Sequence, residues 1–180
     1  KILGLIPKVN LPNYAEYYEA RQFTPADGRM RMVELGGEQI PFGTRILFSC
    51  LQMPRLVVAA EICEDLWVPA PPSVEHAMAG ATMIVNLSAG DEITGKDTYR
   101  RNLVTGQSAR LVCGYLYATA GEGESSSDLV FGGHNLIAEN GALLAEARRF
   151  ENQTVYGDID VNRLATERRK MTTFHVKGQE

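Results

Sequence analysis

Short apolar runs alternate along this chain with stretches whose apolar positions recur at helical spacing. The runs at 1–7, 46–50, 56–62, 82–87 and 113–120 are nearly free of charge and partly β-branched, as expected of strands buried in a layered α/β fold. Between the third and fourth, Pro71, Pro72 and Ser73 suit the first positions of a helix over 71–79, which Gly80 stops. Strand, helix and strand in that order predict a βαβ unit with parallel strands and a right-handed crossover. Leu103, Val104, Gln107 and Leu111 share one face of a predicted helix over 97–111. Asn140 and Gly141 mark a hairpin turn between strands at 135–138 and 142–148. A last strand is expected at 154–159, with Asp160 capping a polar helix over 161–171. Nearer the start, 14–21 reads as a short amphipathic helix, and 23–43 as a long loop or irregular hairpin turning at Gly28 and Gly36-Gly37.

Bulk properties narrow the picture. A chain of 180 residues, 44% hydrophobic, can bury one sizeable core, so one domain or part of one is expected. The run at 1–7 resembles a strand already inside a sheet, which leads one to expect further sequence upstream. The net charge of −4 is interspersed, leaving no footprint for nucleic acid or an anionic membrane surface. No apolar run approaches a bilayer span and no signal peptide opens the chain, so a cytoplasmic location is expected. Cys50, Cys63 and Cys113 are odd in number and lack CxxC spacing, while His76, His134 and His175 are scattered, so neither a disulfide framework nor a metal site is expected.

Cys63 ends the run at 56–62, and the ends of buried strands are where open α/β sheets place ligands. Its neighbours Glu61, Glu64 and Asp65 disfavour a thiolate, so a reactive Cys63 needs a cation from elsewhere in the chain. Lys8 follows the run at 1–7 and would supply it if the two strands were parallel neighbours. Otherwise Cys63 is a buried structural cysteine and Lys8 a solvated lysine. Gly90, Gly95 and Lys96 nearly spell a Walker A loop. However, Asp97 stands where a Ser or Thr would hold magnesium, and Asp91 and Glu92 would repel a phosphate. Lys96 then reads as a single positive group offered to a carboxylate ligand. The loop at 121–128 has two glutamates and no lysine, and is either a pocket wall or a connection. One of Tyr14, Tyr17 and Tyr18 is expected to line a pocket near Lys8. Trp67 and Phe131 read as packing residues, and His134 has no evident catalytic partner.

The motifs taken together are more specific. Lys8 with LPNY at 11–14, YEARQF at 18–23, ICEDLW at 62–67, NLSA at 86–89, YATAGEGES at 117–125 and IAENG at 137–141 resemble, in order, the glutaminase domains of glutamine-dependent NAD synthetases. These belong to the nitrilase, or carbon-nitrogen hydrolase, superfamily. The resemblance implies a nitrilase-like αββα sandwich, of which this chain would be a part, and a Glu-Lys-Cys catalytic set. Cys63 matches the nucleophile and Lys8 the catalytic lysine, while Tyr14, Glu64 and Lys96 fall at glutamine-binding positions. The implied reaction hydrolyses the amide of L-glutamine and supplies ammonia for amidation of deamido-NAD to NAD. The ATP, magnesium and deamido-NAD belong to a synthetase domain that these 180 residues do not contain; no cofactor is implied for the glutaminase part. The family often pairs its sandwiches, so a homo-oligomer is implied. Two departures stand out: no Glu precedes Lys8, so impaired turnover is expected, and Gly90 stands where many relatives carry Ser. The alternatives are a related amidase with another amide substrate, and a non-catalytic fragment that binds partners.

Overall fold

The computed structural model describes residues 1–124 and 128–174. A six-stranded mixed sheet dominates it, in the order β3 (Phe48–Ser49), β4 (Val57–Ile62), β5 (Met83–Ser88), β6 (Gly114–Thr119), β7 (Leu136–Glu139), β8 (Ala142–Glu146). β4, β5 and β6 run parallel; β3, β7 and β8 pair antiparallel at the flanks. The expected βαβ unit is β4, α1 (Pro72–Met78) and β5, and α2 (Lys96–Leu111) then crosses to β6.

The registers place Ala59, Ile84, Tyr115 and Ala138 in one row across four strands, all fully buried. Ala77 of α1 and Val104 and Leu111 of α2 share the same core, so both helices cover one face. Gln107 of α2 also donates to Ser73 of α1 (3.0 Å). Burying a side chain such as Ile84 contributes about 1.5 to 3 kcal/mol, which makes this row the spine of the fold. The class is therefore α/β, and the described residues supply one helix layer and one sheet layer, as half of the expected αββα sandwich would. On the other face Leu87 remains 60% exposed.

Residues 154–159 do not add a strand. They cross that second face, Gly157 packing on Ile137 and Leu144, and Ile159 on Gly114 and Met83. Gly114 permits this crossing, because a Cβ there would lie 2.8 Å from Ile159 Cδ1. Asp160 caps α3 (Val161–Lys170) as expected, accepting from the N–H groups of Asn162 and Arg163. Arg168 of α3 is buried and donates to the carbonyls of Ala81, Leu111 and Val112, stitching α3 to the end of α2.

Two expectations near the start are corrected. Residues 1–7 are not a sheet strand: Leu5 makes a single bridge to β2 (Glu38–Phe42), which forms a separate hairpin with β1 (Arg31–Leu35) about Gly36-Gly37. Residues 14–21 form only a turn and the 3-10 segment η1 (Glu19–Arg21). The tyrosines there are drawn to acids elsewhere, Tyr14 to Glu64 and Tyr17 to Asp91, and Ala15 takes a φ of 49°. Tertiary hydrogen bonds have overridden local helical preference. The loop at 121–128 lies partly outside the described residues.

Candidate active site

β4 ends at Ile62, and the chain turns at once into the 3-10 segment η2 (Cys63–Leu66). Cys63 makes the turn with a φ of 49°, in the left-handed region that side chains with a Cβ disfavour. A fixed partner holds it there. The Cys63 N–H donates to Asn86 Oδ1 of β5 (3.2 Å), which also receives the Ser88 hydroxyl (2.7 Å). Asn86 in turn donates to the Tyr115 hydroxyl (3.3 Å), and Tyr115 donates to Glu61. A polar relay beneath the turn thus fixes the backbone of Cys63.

The same contacts resolve the crowding of acids around the thiol. Glu61 points under the helix layer, where it also accepts the Ser73 N–H (2.8 Å) and where burial pushes its carboxyl up. Asp65 accepts from Ile62 N (3.0 Å), Asn10 N (2.8 Å), Asn10 Nδ2 (2.9 Å) and Val9 N (3.4 Å). Glu64 accepts the Tyr14 hydroxyl (2.8 Å). Each carboxylate has its own donors.

Lys8 and Cys63 line one cavity of about 460 Å³, together with Glu19, Leu11, Phe23 and Leu87. This volume falls within the usual range for small-molecule sites. Lys8 does not arrive there on a strand beside β4, whose neighbours are β3 and β5. It is carried by an irregular loop, with Nζ 2.5 Å from Glu19 Oε2 and its carbonyl accepting Ala26 N (2.9 Å). Glu19 is the residue that sequence reasoning missed. It sits within the YEARQF run, but no helical or strand periodicity links it to Lys8.

Tyr14, Glu64 and Lys96 are absent from the wall of that cavity and form an adjoining cluster. Partial burial and the bond to Glu64 push the Tyr14 phenol up to about 12. Its ring meets Tyr17 edge to face, with centroids 6.1 Å apart. Tyr17 donates to Asp91 Oδ1 (2.6 Å) and accepts Asp91 N (3.0 Å); burial and then that carboxylate push its phenol upward. Lys96 pairs with Asp91, and its ammonium stands 5.3 Å from the Trp67 ring and 5.8 Å from Tyr17. Burial alone would raise the Asp91 carboxyl, but the bonds from Lys96 and Tyr17 outweigh it and hold the group below its usual range. Trp67, read from sequence as packing, thus also faces a cation.

His134 lies elsewhere. Its Nδ1 faces Arg100 Nη1 (2.8 Å), which can only donate, so Nδ1 is the acceptor and Nε2–H donates to Glu146 (2.6 Å). Cys113 is fully buried, and burial pushes its thiol up to about 12; Cys50 is partly exposed at a turn. Among the described residues no three His, Cys, Asp or Glu side chains gather as a metal ion would require, and no helix is long and apolar enough to cross a membrane.

The carbon-nitrogen hydrolase family model matches residues 2–169. The glutamine-dependent NAD(+) synthetase of Mycobacterium tuberculosis (strain ATCC 25618 / H37Rv) is 46% identical over 175 residues, which is 96% of this chain and 26% of that protein. The crystal structure of a glutamine-dependent NAD(+) synthetase from Cytophaga hutchinsonii superposes with a TM-score of 0.70 at 30% identity, over 82% of this chain and 23% of the other. A carbon-nitrogen hydrolase from Helicobacter pylori G27 shares the fold at a TM-score of 0.61 and 18% identity, over 91% of this chain and 54% of the other. The chain spans about a quarter of the length of the curated relatives it matches.

Proposed function

The chain belongs to the carbon-nitrogen hydrolase family, and from that premise we propose that it is the glutamine-hydrolysing part of an NAD-forming synthetase. The observation that carries this reading is the single cavity lined by Cys63, Lys8 and Glu19 in a chain 46% identical to such a synthetase. Cys63 Sγ attacks the side-chain amide carbon of glutamine, the tetrahedral intermediate expels ammonia, and water hydrolyses the thioester to glutamate. Lys8 stabilises the thiolate and the oxyanion. The N–H of Glu64, in the first turn of η2 where amides lack partners within the helix, supplies a second donor to the oxyanion. An ammonium cannot accept the proton that Cys63 must lose, so a carboxylate is needed as general base. Glu19 is the carboxylate that shares the cavity with Cys63 and Lys8. A positioned base is worth about 10² to 10⁴ in rate, so turnover depends on a carboxylate placed to take this proton.

The neighbouring cluster suits the other end of an amino acid. Glu64 and Tyr14 offer acceptors to the α-ammonium, and Lys96 offers a cation to the α-carboxylate, competing with Asp91 for it. Cytoplasmic location, a homo-oligomeric state, and delivery of ammonia to an ATP-, magnesium- and deamido-NAD-binding synthetase domain belong to the same proposal. The test is glutamate release from glutamine beside asparagine and simple aliphatic amides, with Cys63→Ala and Lys8→Met as controls. Selective glutamine cleavage lost in both variants is expected. Equal cleavage of other amides would favour a different amidase, and intact amides throughout with no covalent label at Cys63 would favour a binding fragment.

A further inference from the structure

We propose that Asp65 is a positioning residue that holds the Lys8 loop against the Cys63 turn; this rests on the reading of Lys8 and Cys63 given above. The two groups lie 55 positions apart in the chain, and among the described residues no ladder joins the strand that leads to Cys63 to the segment that carries Lys8. Asp65 links the residues immediately beside them. Its carboxylate, 1% exposed, spans from Ile62, which precedes the nucleophile, to Val9 and Asn10, which follow the lysine. With Asn10 Nδ2 it receives four N–H groups, the Val9 contact being the longest.

The chemistry asks for Asp in particular. An ionised carboxylate is acceptor-only with about four lone-pair sites, which is what four converging donors require. Asn is the same size but would turn an NH₂ toward two of them. The Lys8 side chain is otherwise held by Glu19, and its carbonyl by Ala26, both of which travel with the irregular N-terminal segment. Loosening Asp65 would leave the stretch that carries Lys8 tied only at a distance, by Leu5 to β2 on one side and by Tyr14 and Tyr17 to Glu64 and Asp91 on the other, so the lysine could drift from the sulfur. Misplacement of about 1 Å is enough to cost up to about 10² in rate. Among the described residues the hydrogen bonds of Asp65 go to backbone N–H groups and to Asn10, so it works through Lys8 and is not itself a catalytic residue.

The test measures covalent labelling of Cys63 by the chloromethyl ketone analogue of glutamine. The thiolate displaces chloride and forms a C–S bond, so no water step or general base for hydrolysis is needed. Saturation kinetics followed by intact mass separate the maximal labelling rate from the half-saturating concentration. In Asp65→Asn the maximal rate should fall about tenfold with half-saturation changed less than about twofold, as for lost charge-assisted bonds that orient but do not bind. In Lys8→Met the rate should fall about 10², and the double variant should be no slower than Lys8→Met alone. An Asp65→Asn protein that labels like the parent overturns the proposal. So does an equal slowing by Asp65→Asn in the presence and absence of Lys8, which is the mark of a merely structural residue. If Lys8→Met itself labels normally, the reading of Lys8 fails, and that outcome is distinct from the other two. Should Asp65→Asn not fold, Asn10→Ala removes only the Nδ2 bond. It should slow labelling about threefold when Lys8 is present and not in Lys8→Met, and no effect in either background overturns the proposal.

Discussion

The left-handed backbone at Cys63 leads to a stability prediction that needs no substrate. Replacing Cys63 with Ala keeps a Cβ at a φ of 49°, whereas Gly relieves it. Left-handed geometry costs a residue with a Cβ about 1 to 2 kcal/mol, and this is what Gly returns. Against that, Ala→Gly at a site 8% exposed loses a buried methyl worth about 0.8 kcal/mol. Gly also loses more freedom on folding, about 0.5 to 1 kcal/mol. The terms nearly cancel, so Cys63→Gly should match Cys63→Ala within about 1 kcal/mol. Ala59 is the control: it lies in β4, the strand that leads into the Cys63 turn, is fully buried, and has an ordinary backbone. Without strain to relieve, Ala59→Gly should cost the full sum, about 1.3 to 1.8 kcal/mol. Urea unfolding with linear extrapolation measures all three. If Cys63→Gly is as damaging relative to Cys63→Ala as Ala59→Gly is to the parent, the turn is not strained and the nucleophile geometry described here is wrong. Strain kept at this position is understandable if it aims the thiol into the cavity.

Three further outcomes follow from the contacts. Because the Asp91 carboxyl is held below its usual range, its pairing with Lys96 should stabilise the fold fully above about pH 4 and be lost as pH falls below that. The stability difference between the parent and Asp91→Asn should therefore shrink only in the acid limb of a pH series, and a difference constant from neutral to strongly acid pH would refute the assignment. Arg168→Met should cost about 2 to 3 kcal/mol in urea unfolding, since it strips charged donors from buried carbonyls at Ala81, Leu111 and Val112; a loss comparable to an exposed Arg163→Met would contradict this. Tyr14→Phe removes the hydroxyl held by Glu64 and should raise the half-saturating concentration of glutamine without slowing the labelling of Cys63 by iodoacetamide; slower labelling would mean that Tyr14 acts on the thiol.

Much of the sheet was legible because its strands are buried on one or both faces and bounded by turn residues. The runs at 56–62, 82–87 and 113–120 appear as β4, β5 and β6, and Asn140-Gly141 makes the β7–β8 turn. The N-terminal segment was not legible, because its shape comes from partners far away in sequence. An apolar run at 1–7 implied a strand, yet Leu5 alone bridges to β2. The route by which Lys8 meets Cys63 was likewise hidden: a shared sheet edge was expected, and Asp65, read only as an adverse charge, provides the tie instead. Glu19 and Asn86 carry no periodic signal, since their importance lies in hydrogen bonds across the fold. Cys63, Lys8, Tyr14, Glu64 and Lys96 were named through the resemblance to a family, and spacing alone left each of them open.

The central claim, that Cys63 is the nucleophile of a glutamine site, is tested most directly by mapping where the chloromethyl ketone analogue of glutamine attaches. Peptide mass spectrometry at neutral pH should find the label on Cys63, formed faster than on Cys50 by about tenfold or more, as proximity in a bound complex requires. Cys113, buried and with its thiol pushed up to about 12, should stay unlabelled. Excess glutamine should slow the labelling of Cys63 and leave that of Cys50 unchanged. Label on Cys50 at a comparable rate, or labelling of Cys63 that glutamine does not slow, would contradict the account.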